Sequence, residues 1–225
     1  MAYKREIKLS DYTPHRDAFL LERCKGKKVL HIGACDWPYT SEKLKAGNLL
    51  FAKIDGVAKE QIGIDLDKDS ADFINTKKWK ASKIIVADMN NLQDIDFQPD
   101  VIIFGETLEH LMNLETALSN LKKVMSDETD LIISVPNAVH FLSFIYGILG
   151  YEHQHPDHKV AFTYKTLKQL LEFNNFKIDT LKFTWLTGSI KTLNWKGKFT
   201  FYLSRPFSRL FPMFSGNILV VCNLK

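Results

Sequence analysis

The sequence has 225 residues and a net charge of +4, a length that suits one α/β domain with a substantial buried core. With 45% hydrophobic and 25% charged residues it is an ordinary globular chain, which excludes disordered and collagen-like proteins. Cys24, Cys35 and Cys222 are far apart and form no CxxC pair, which argues against a disulfide framework or a zinc knuckle. The opening residues, MAYKREIKLSDY, hold no apolar run, so we expect no signal peptide or anchor and a cytoplasmic location.

Short apolar runs alternate with helical stretches along the chain. The runs are rich in Ile and Val, as is typical of strands buried on both faces of a parallel sheet. Seven strands are predicted, at 27–33, 60–66, 82–88, 99–106, 129–136, 176–183 and 216–224. Helices are predicted at 14–24, 41–59, 69–79, 113–126, 138–149 and 163–174. The alternation predicts a doubly wound, mostly parallel α/β sheet in one domain over 1–225, with a helical lead-in at 1–26.

Polar residues stand at the carboxyl ends of the predicted strands, where such sheets bind their ligands. The first strand runs into VLHIGACDWPYT, which has one glycine, Gly33, before a bulky loop. Asp65 ends the second strand, where a carboxylate can accept both hydroxyls of a ribose. Asp88 ends the third and is followed by Met89, a pair suited to the amino group and ring face of an adenine. Because consecutive strand ends each carry a group that an adenosyl ligand would need, the sequence favours such a ligand.

Five segments in this order, KVLHIGACD, IGIDLD, IIVADMNNL, PDVIIFGETLEHL and LIISVPNA, resemble the successive motifs of class I S-adenosylmethionine-dependent methyltransferases. The resemblance covers roughly residues 25–185 and returns for the last strand. It implies a Rossmann-like sheet of seven strands whose last strand is antiparallel, with the cofactor across the carboxyl ends of the first half. It also implies a variable acceptor-side insertion at 186–215. Within the class, the sequence is most similar to small bacterial enzymes of sugar and polysaccharide pathways.

The resemblance assigns the cofactor contacts residue by residue. It puts Gly33 beside the methionine part of the cofactor, Asp65 on the ribose and Gly105 at the turn near the methionine amino group. It assigns the adenine contacts to Asp88 and Met89. The neighbours Ala34, Cys35 and Leu66 complete the expected cofactor-binding set.

The first loop departs from the family pattern. His31 stands where the family has an acid, and Cys35 and Trp37 replace two loop glycines. We expect this loop to bind the cofactor by another backbone route. The alternative is a non-catalytic binding protein that retains the fold.

Methyl transfer to a hydroxyl requires in-line alignment and removal of a proton. The segment YEHQHPDHKVAF carries His153, His155, Asp157 and His158 ahead of a predicted helix. We expect His155 or His158 to be the general base, because histidine titrates near neutral pH, and we add Glu106 as a catalytic candidate. The alternative is a set of exposed histidines beside a turn capped by Asp157.

The segment GETLEHL raises the question of a metal. If it is helical, Glu106, Glu109 and His110 lie on one face and could bind a divalent ion with a further ligand. Candidates for that further ligand are His140, His155 and His158. The ExxEH spacing resembles that of metal-dependent small-RNA 2′-O-methyltransferases. We favour structural or cofactor support for these residues and expect no obligatory metal.

The C-terminal end is basic and aromatic. From Lys177 onward there are eight basic residues and one acidic residue, a charge of +7, which leaves −3 for 1–176. Pro206 and Pro212 predict that no long helix forms within 186–215, and its charges exclude a membrane span. We favour a packed lid over the acceptor. The alternative is contact with an anionic partner, either a phosphate-bearing acceptor or a membrane surface.

Together these features predict a methyltransferase that uses S-adenosylmethionine to methylate a hydroxyl of a small, sugar-like or phosphate-bearing acceptor. A metal-dependent 2′-O-methyltransferase of an RNA end is the second hypothesis, and nucleic acid is the less favoured partner.

Overall fold

The computed structural model describes residues 7–152, 154–185 and 195–225. These residues form one sheet with helices on both faces. All seven predicted strands are present, and a short additional strand, β1, precedes them. The strands are β1 Tyr12–Thr13, β2 Lys28–Ile32, β3 Glu60–Asp65, β4 Ser82–Val86, β5 Val101–Gly105, β6 Asp130–Pro136, β7 Phe176–Thr184 and β8 Asn217–Leu224.

The strand order is β1-β7-β8-β6-β5-β2-β3-β4. Neighbouring strands are parallel except for β8, which runs antiparallel to both β6 and β7. The prediction of a mostly parallel sheet with an antiparallel last strand is therefore confirmed, with eight strands instead of seven. The extra strand is only two residues long, pairing Tyr12 with Phe183 and Thr13 with Thr184, so no sequence periodicity marks it.

Five of the six predicted helices are present close to their predicted limits. The helices are α1 Arg16–Cys24, α2 Thr40–Lys45, α3 Leu50–Asp55, α4 Lys68–Asn75, α5 Leu114–Lys123, α6 Phe141–Ile148, α7 Tyr164–Phe173 and α8 Trp195–Leu210. The single helix predicted at 41–59 is wrong, because α2 and α3 are separate. Gly47, at φ +68°, follows α2 in the left-handed conformation that ends helices. Asn113 and Thr163 cap α5 and α7 with their side chains.

The prediction that no long helix forms within 186–215 is also wrong. Helix α8 runs for 16 residues with Pro206 inside it, and it ends at Leu210, two residues before Pro212. Proline removes one backbone donor, and here its ring stands on the exposed side of the helix. The rest of the predicted insertion, 186–194, lies outside the described residues.

Alternate residues of β2 face the two helical layers. Leu30 and Ile32 belong to a core cluster that includes Leu118 of α5 and Leu167 of α7. Val29 faces the other way, into a cluster with α1 and α3. This burial on both faces fixes β2 at the centre of the sheet, between β5 and β3, so the ends of these three strands meet.

Candidate active site

The loop after β2 is joined to the end of β3. The backbone N–H groups of Gly33 and Ala34 both donate to the carbonyl of Ile64, at 3.0 and 3.2 Å. The next N–H, that of Cys35, donates to Oδ2 of Asp65 at 2.8 Å, and Oδ1 of Asp65 accepts from the N–H of Asp67 at 3.0 Å. Burial raises the pKa of Asp65, while the backbone donors oppose that rise. The predicted ribose acid and the glycine-poor loop therefore form one unit.

Gly33 is required by two independent constraints. Its φ of +68° lies in the left-handed region, and a Cβ there would stand 2.5 Å from Oγ1 of Thr107. That hydroxyl donates to the carbonyl of Gly105 at 2.9 Å. Gly105 is itself close-packed, because a Cβ on it would meet Oγ of Ser134 at 3.1 Å. The ends of β2 and β5 are thus in direct contact, and the two predicted cofactor glycines lie on either side of Thr107.

Large apolar side chains are left uncovered at this edge. Leu66, next to Asp65, is 71% exposed, and Trp37 in the first loop is 70% exposed. Beyond them, Asp88 and Met89 follow β4 and are half-buried, with Met89 packed against the core. A carboxylate flanked by exposed apolar surface fits a ligand that joins a ribose to an aromatic base. Cys35 is buried, and burial raises the pKa of its thiol, which disfavours the reactive thiolate form.

Glu106 is held by two partners that the sequence analysis missed. Its Oε1 accepts from Nδ2 of Asn217 at 2.9 Å and pairs with Nη1 of Arg16 at 3.2 Å. Glu106 also has a φ of +49°, a strained conformation for a residue with a Cβ. The predicted catalytic acid is thus fixed at the end of β5. No signal in the sequence links it to Arg16, which comes from α1.

His31, which stands where the family has an acid, is buried on β2. Its side chain is 4% exposed, and its Nδ1 has no hydrogen-bond partner among the described residues. Burial lowers the pKa of His31 from 6.5 to about 4, and Arg16 adds to that effect. His31 is therefore neutral at neutral pH and supplies no charge to the site.

A second cluster forms around Glu109, in the 3-10 helix Leu108–His110. Glu109 is 1% exposed, and neither of its carboxylate oxygens has a hydrogen-bond partner among the described residues. Burial, and then the neighbouring Glu106, raise the pKa of Glu109 to about 8. One ligand atom from each of Glu109, His110 and His158 lies within 4.8 Å of the others. The metal-binding set predicted from the sequence is Glu106, Glu109 and His110. In the structure His158 takes the place of Glu106 in this set.

The histidine loop packs against this cluster. The N–H groups of Lys159 and Val160 donate to the carbonyl of Glu109, at 2.8 and 3.2 Å. Nε2 of His158 lies 3.9 Å from Oε1 of Glu109, and the His158 side chain is only 14% exposed. His155, at 59%, is largely exposed. Burial, helped by His110 and His155, lowers the pKa of His158 to about 4.

His140 is not part of the cluster formed by Glu109, His110 and His158. His140 caps α6, where its Nδ1 accepts from the N–H groups of Leu142 and Ser143. His153 lies outside the described residues. A pocket of about 140 Å³ adjoins the histidine loop, and its lining includes Asn137, His140, His155 and His158. A larger pocket, of about 390 Å³, lies beside β7 and contains none of the predicted site residues.

Comparison with known proteins places the chain in a family. Residues 18–181 match the model of a methyltransferase domain. No curated protein gave a match. A S-adenosylmethionine-dependent methyltransferase from Archaeoglobus fulgidus is similar in fold, with a TM-score of 0.58, 20% identity and coverage of 92% of this chain and 91% of that one.

Two solved structures with S-adenosylhomocysteine are also similar. Magnesium protoporphyrin IX methyltransferase from Synechocystis PCC 6803 gives a TM-score of 0.60 at 13% identity, covering 93% of this chain and 80% of that one. The N-methyltransferase NodS from Bradyrhizobium japonicum WM9 gives 0.57 at 15% identity, covering 93% and 85%. Because the domain model spans more than half of the sequence, the chain belongs to the methyltransferase-domain family and is a S-adenosylmethionine-dependent methyltransferase.

Proposed function

We propose that this methyltransferase methylates a hydroxyl of a small, sugar-like or phosphate-bearing acceptor. The observation that carries the proposal is His158, a largely buried imidazole that lines the pocket next to Glu109. Burial lowers its pKa, so the imidazole is neutral at neutral pH but a weaker base than a free histidine, and its position in the pocket is what supports this role. A hydroxyl acceptor needs a base of this kind, since the oxygen must lose its proton as it gains the methyl group.

The cofactor residues that we propose are those at the ends of β2 to β5. Asp65 would accept the ribose hydroxyls, Gly33 would let the backbone approach the methionine part, and Gly105 would lie by the amino group. Asp88 and Met89 would contact the adenine, and Ala34, Cys35 and Leu66 would complete the cofactor-binding set. When bound, the cofactor supplies an electrophilic methyl group on a sulfonium. The exposed Leu66 beside Asp65 supports this placement.

The chain's own residues would then act on the acceptor. A ring nitrogen of His158 would take the proton of the acceptor hydroxyl as the oxygen of that hydroxyl becomes methylated. His155, which is more exposed, is the second candidate for the base. Glu106 would act as a positioning residue, because Arg16 and Asn217 hold its carboxylate. The charge of +7 beyond residue 176 supports an acceptor that carries phosphate.

The test is methyl transfer from labelled S-adenosylmethionine to a panel of sugars, sugar phosphates and nucleotide sugars. We expect an O-methyl product, a loss of kcat of about 10²-fold or more in His158→Gln, and unchanged affinity for S-adenosylhomocysteine. His15→Gln, at an exposed position before α1, is the matched control and should keep full activity. An N-methyl product, or full activity in His158→Gln, would contradict the proposal.

Metal-assisted 2′-O-methylation of an RNA end is the second candidate, and one observation favours it. The buried, unpartnered Glu109 carboxylate faces two imidazoles, His110 and His158, within 4.8 Å, and this donor set suits a divalent first-row metal ion. In this reaction His158 would be a ligand instead of a base. Activity on an RNA oligonucleotide that EDTA abolishes and Mn²⁺ restores would favour it, whereas full activity in EDTA would exclude it.

A further inference from the structure

Helix α6 is apolar yet uncovered. Its sequence, FLSFIYGI, contains no charged residue, and none of its eight residues is buried. Phe144 and Ile148 are 58% and 68% exposed, and Leu149 after the helix is 63% exposed. A helix that is apolar on all sides is normally enclosed by protein or membrane. Something outside the described residues is therefore expected to cover α6.

Helix α8 lies against α6 and extends the uncovered surface. The ring centroids of Phe141 and Phe207 are 4.4 Å apart, and those of Phe207 and Phe211 are 4.9 Å apart. Ser204 and Ser208 of α8 are buried, whereas Tyr202 and Leu210 are exposed. We define the α6–α8 surface by its exposed apolar side chains, Phe144, Ile148, Leu149, Tyr202, Leu210 and Phe211. Exposed apolar surface of this kind usually marks a binding face.

The charged residues of α8 are all positive. Residues 195–214 contain four basic residues and no acidic residue, and Arg205 and Arg209 among them are exposed on α8. Apolar and aromatic side chains interspersed with arginine are the chemistry of helices that lie in the interface of an anionic bilayer. No helix within the described residues is long and apolar enough to cross a membrane, so such a contact would be peripheral.

We propose that the α6–α8 surface docks on an anionic lipid membrane. The positive charge of α8 favours an anionic bilayer over a second copy of the chain as the partner of this surface. A second copy of the chain would bring Arg205 and Arg209 toward their own counterparts, and like charges oppose that contact. In an anionic bilayer, the lipid phosphates would pair with the arginine side chains while the acyl region covers the apolar side chains.

Docking would bring the acceptor pocket to the lipid. His140 is the N-cap of α6, and it also lines the pocket that contains His155 and His158. The proposed acceptor class is thus a hydroxyl compound anchored in the membrane by a lipid. This last step rests on the proposed function, whereas the docking itself does not.

The test is co-sedimentation of the full chain with two kinds of vesicle, one of phosphatidylcholine alone and one of equal parts phosphatidylcholine and phosphatidylglycerol. We expect binding to the anionic vesicles and weaker binding at high salt. Phe144→Ser combined with Ile148→Ser should weaken binding by about tenfold or more, because two apolar side chains no longer enter the interface. Arg205→Glu combined with Arg209→Glu should weaken it by about fivefold or more for each charge.

Phe173→Ser is the matched control, because Phe173 is 85% exposed at the end of α7, outside the α6–α8 surface. It should bind vesicles as the wild type does. Absence of vesicle binding in the wild type would overturn the proposal, and so would equal binding by the Phe144→Ser/Ile148→Ser variant. Affinity for S-adenosylhomocysteine, measured on the same samples, separates this failure from failure of the cofactor site. A dimer in light scattering that the Phe144→Ser/Ile148→Ser variant dissociates would assign the surface to a second copy instead.

Discussion

The backbone N–H of Cys35 donates to the carboxylate of Asp65 at 2.8 Å, so an acid at the end of β3 holds the loop after β2. The other oxygen of the same carboxylate accepts from the N–H of Asp67. Each carboxylate oxygen can accept a further hydrogen bond, so both remain available to ribose hydroxyls. Asp65 therefore both shapes the glycine-poor loop and is the group that we expect to bind the cofactor.

Replacement of this acid tests the cofactor assignment. Asp65→Ala should lower the affinity for S-adenosylhomocysteine by about 1.5–3 kcal/mol, because hydrogen bonds to a charged acceptor are lost. Isothermal titration calorimetry measures the change. Asp72→Ala serves as the control, since Asp72 lies away from the strand ends and forms an exposed pair with Lys68 on α4. Unchanged affinity in Asp65→Ala would mean that the ribose binds elsewhere.

Two glycines with nearly the same backbone conformation allow a matched test of packing at the site. Gly26 and Gly33 have φ of +70° and +68°, but a Cβ on Gly26 would meet no atom within 4 Å. Gly26→Ala should therefore lower the free energy of unfolding by only the left-handed backbone cost, about 1–2 kcal/mol. Gly33→Ala should cost more, because its Cβ would also collide with Thr107. Urea unfolding measures both.

The excess cost can be assigned to its cause. Adding Thr107→Ala to Gly33→Ala removes the hydroxyl that stands 2.5 Å from the new Cβ, so the double variant should regain part of the stability. Adding Thr107→Ala to Gly26→Ala should give no such recovery. Equal costs for the two single glycine variants would show that the contact between the ends of β2 and β5 is not tight in solution.

The sheet and much of the cofactor edge could be predicted because they depend on local patterns. Runs such as VIIF in β5 are apolar on both faces, and a polar residue directly after such a strand is fixed at the carboxyl edge by the topology. The family match to residues 18–181 confirms the methyltransferase assignment that those motifs suggested. This family match favours an enzyme over a non-catalytic binding protein. The roles of the individual site residues remain predictions.

Other features depend on contacts between distant parts of the chain and could not be predicted. Arg16 reaches Glu106 across 90 positions only because α1 packs beside the ends of the central strands. The strand Tyr12–Thr13 exists through its pairing with β7 and has no periodicity of its own. Helix α8 continues past Pro206, where local propensity alone predicts a break, because tertiary packing overrides propensity.

The buried His31 should make stability depend on pH on the acidic side. Its pKa is lowered from 6.5 in the unfolded chain to about 4 in the folded one, so the unfolded chain binds more protons between these values. Its contribution is present above pH 6.5 and is lost as the pH falls toward 4, by about 3 kcal/mol. In His31→Gln this slope should decrease in urea unfolding curves, leaving the contribution of the same sign from His158, whereas the exposed His15→Gln should keep the full slope. An unchanged slope in His31→Gln would show that His31 is hydrated.

The effect of Glu109 on the pH dependence of stability should be opposite to that of His31. Burial raises its pKa from 4.5 to about 8, so in this window an ionised Glu109 is favoured in the unfolded chain, and the contribution of Glu109 to stability should fall as the pH rises from 4.5 to 8. Glu109→Gln, a neutral mimic of the protonated acid, should lack this contribution, so the stability of the wild type relative to Glu109→Gln should fall over this window in urea unfolding measured in the presence of a chelator. Glu22→Gln, at an exposed position on α1, should retain it. The same fall in Glu109→Gln as in the wild type would mean that Glu109 is ionised in the folded protein, which would require a cation or water beside its carboxylate.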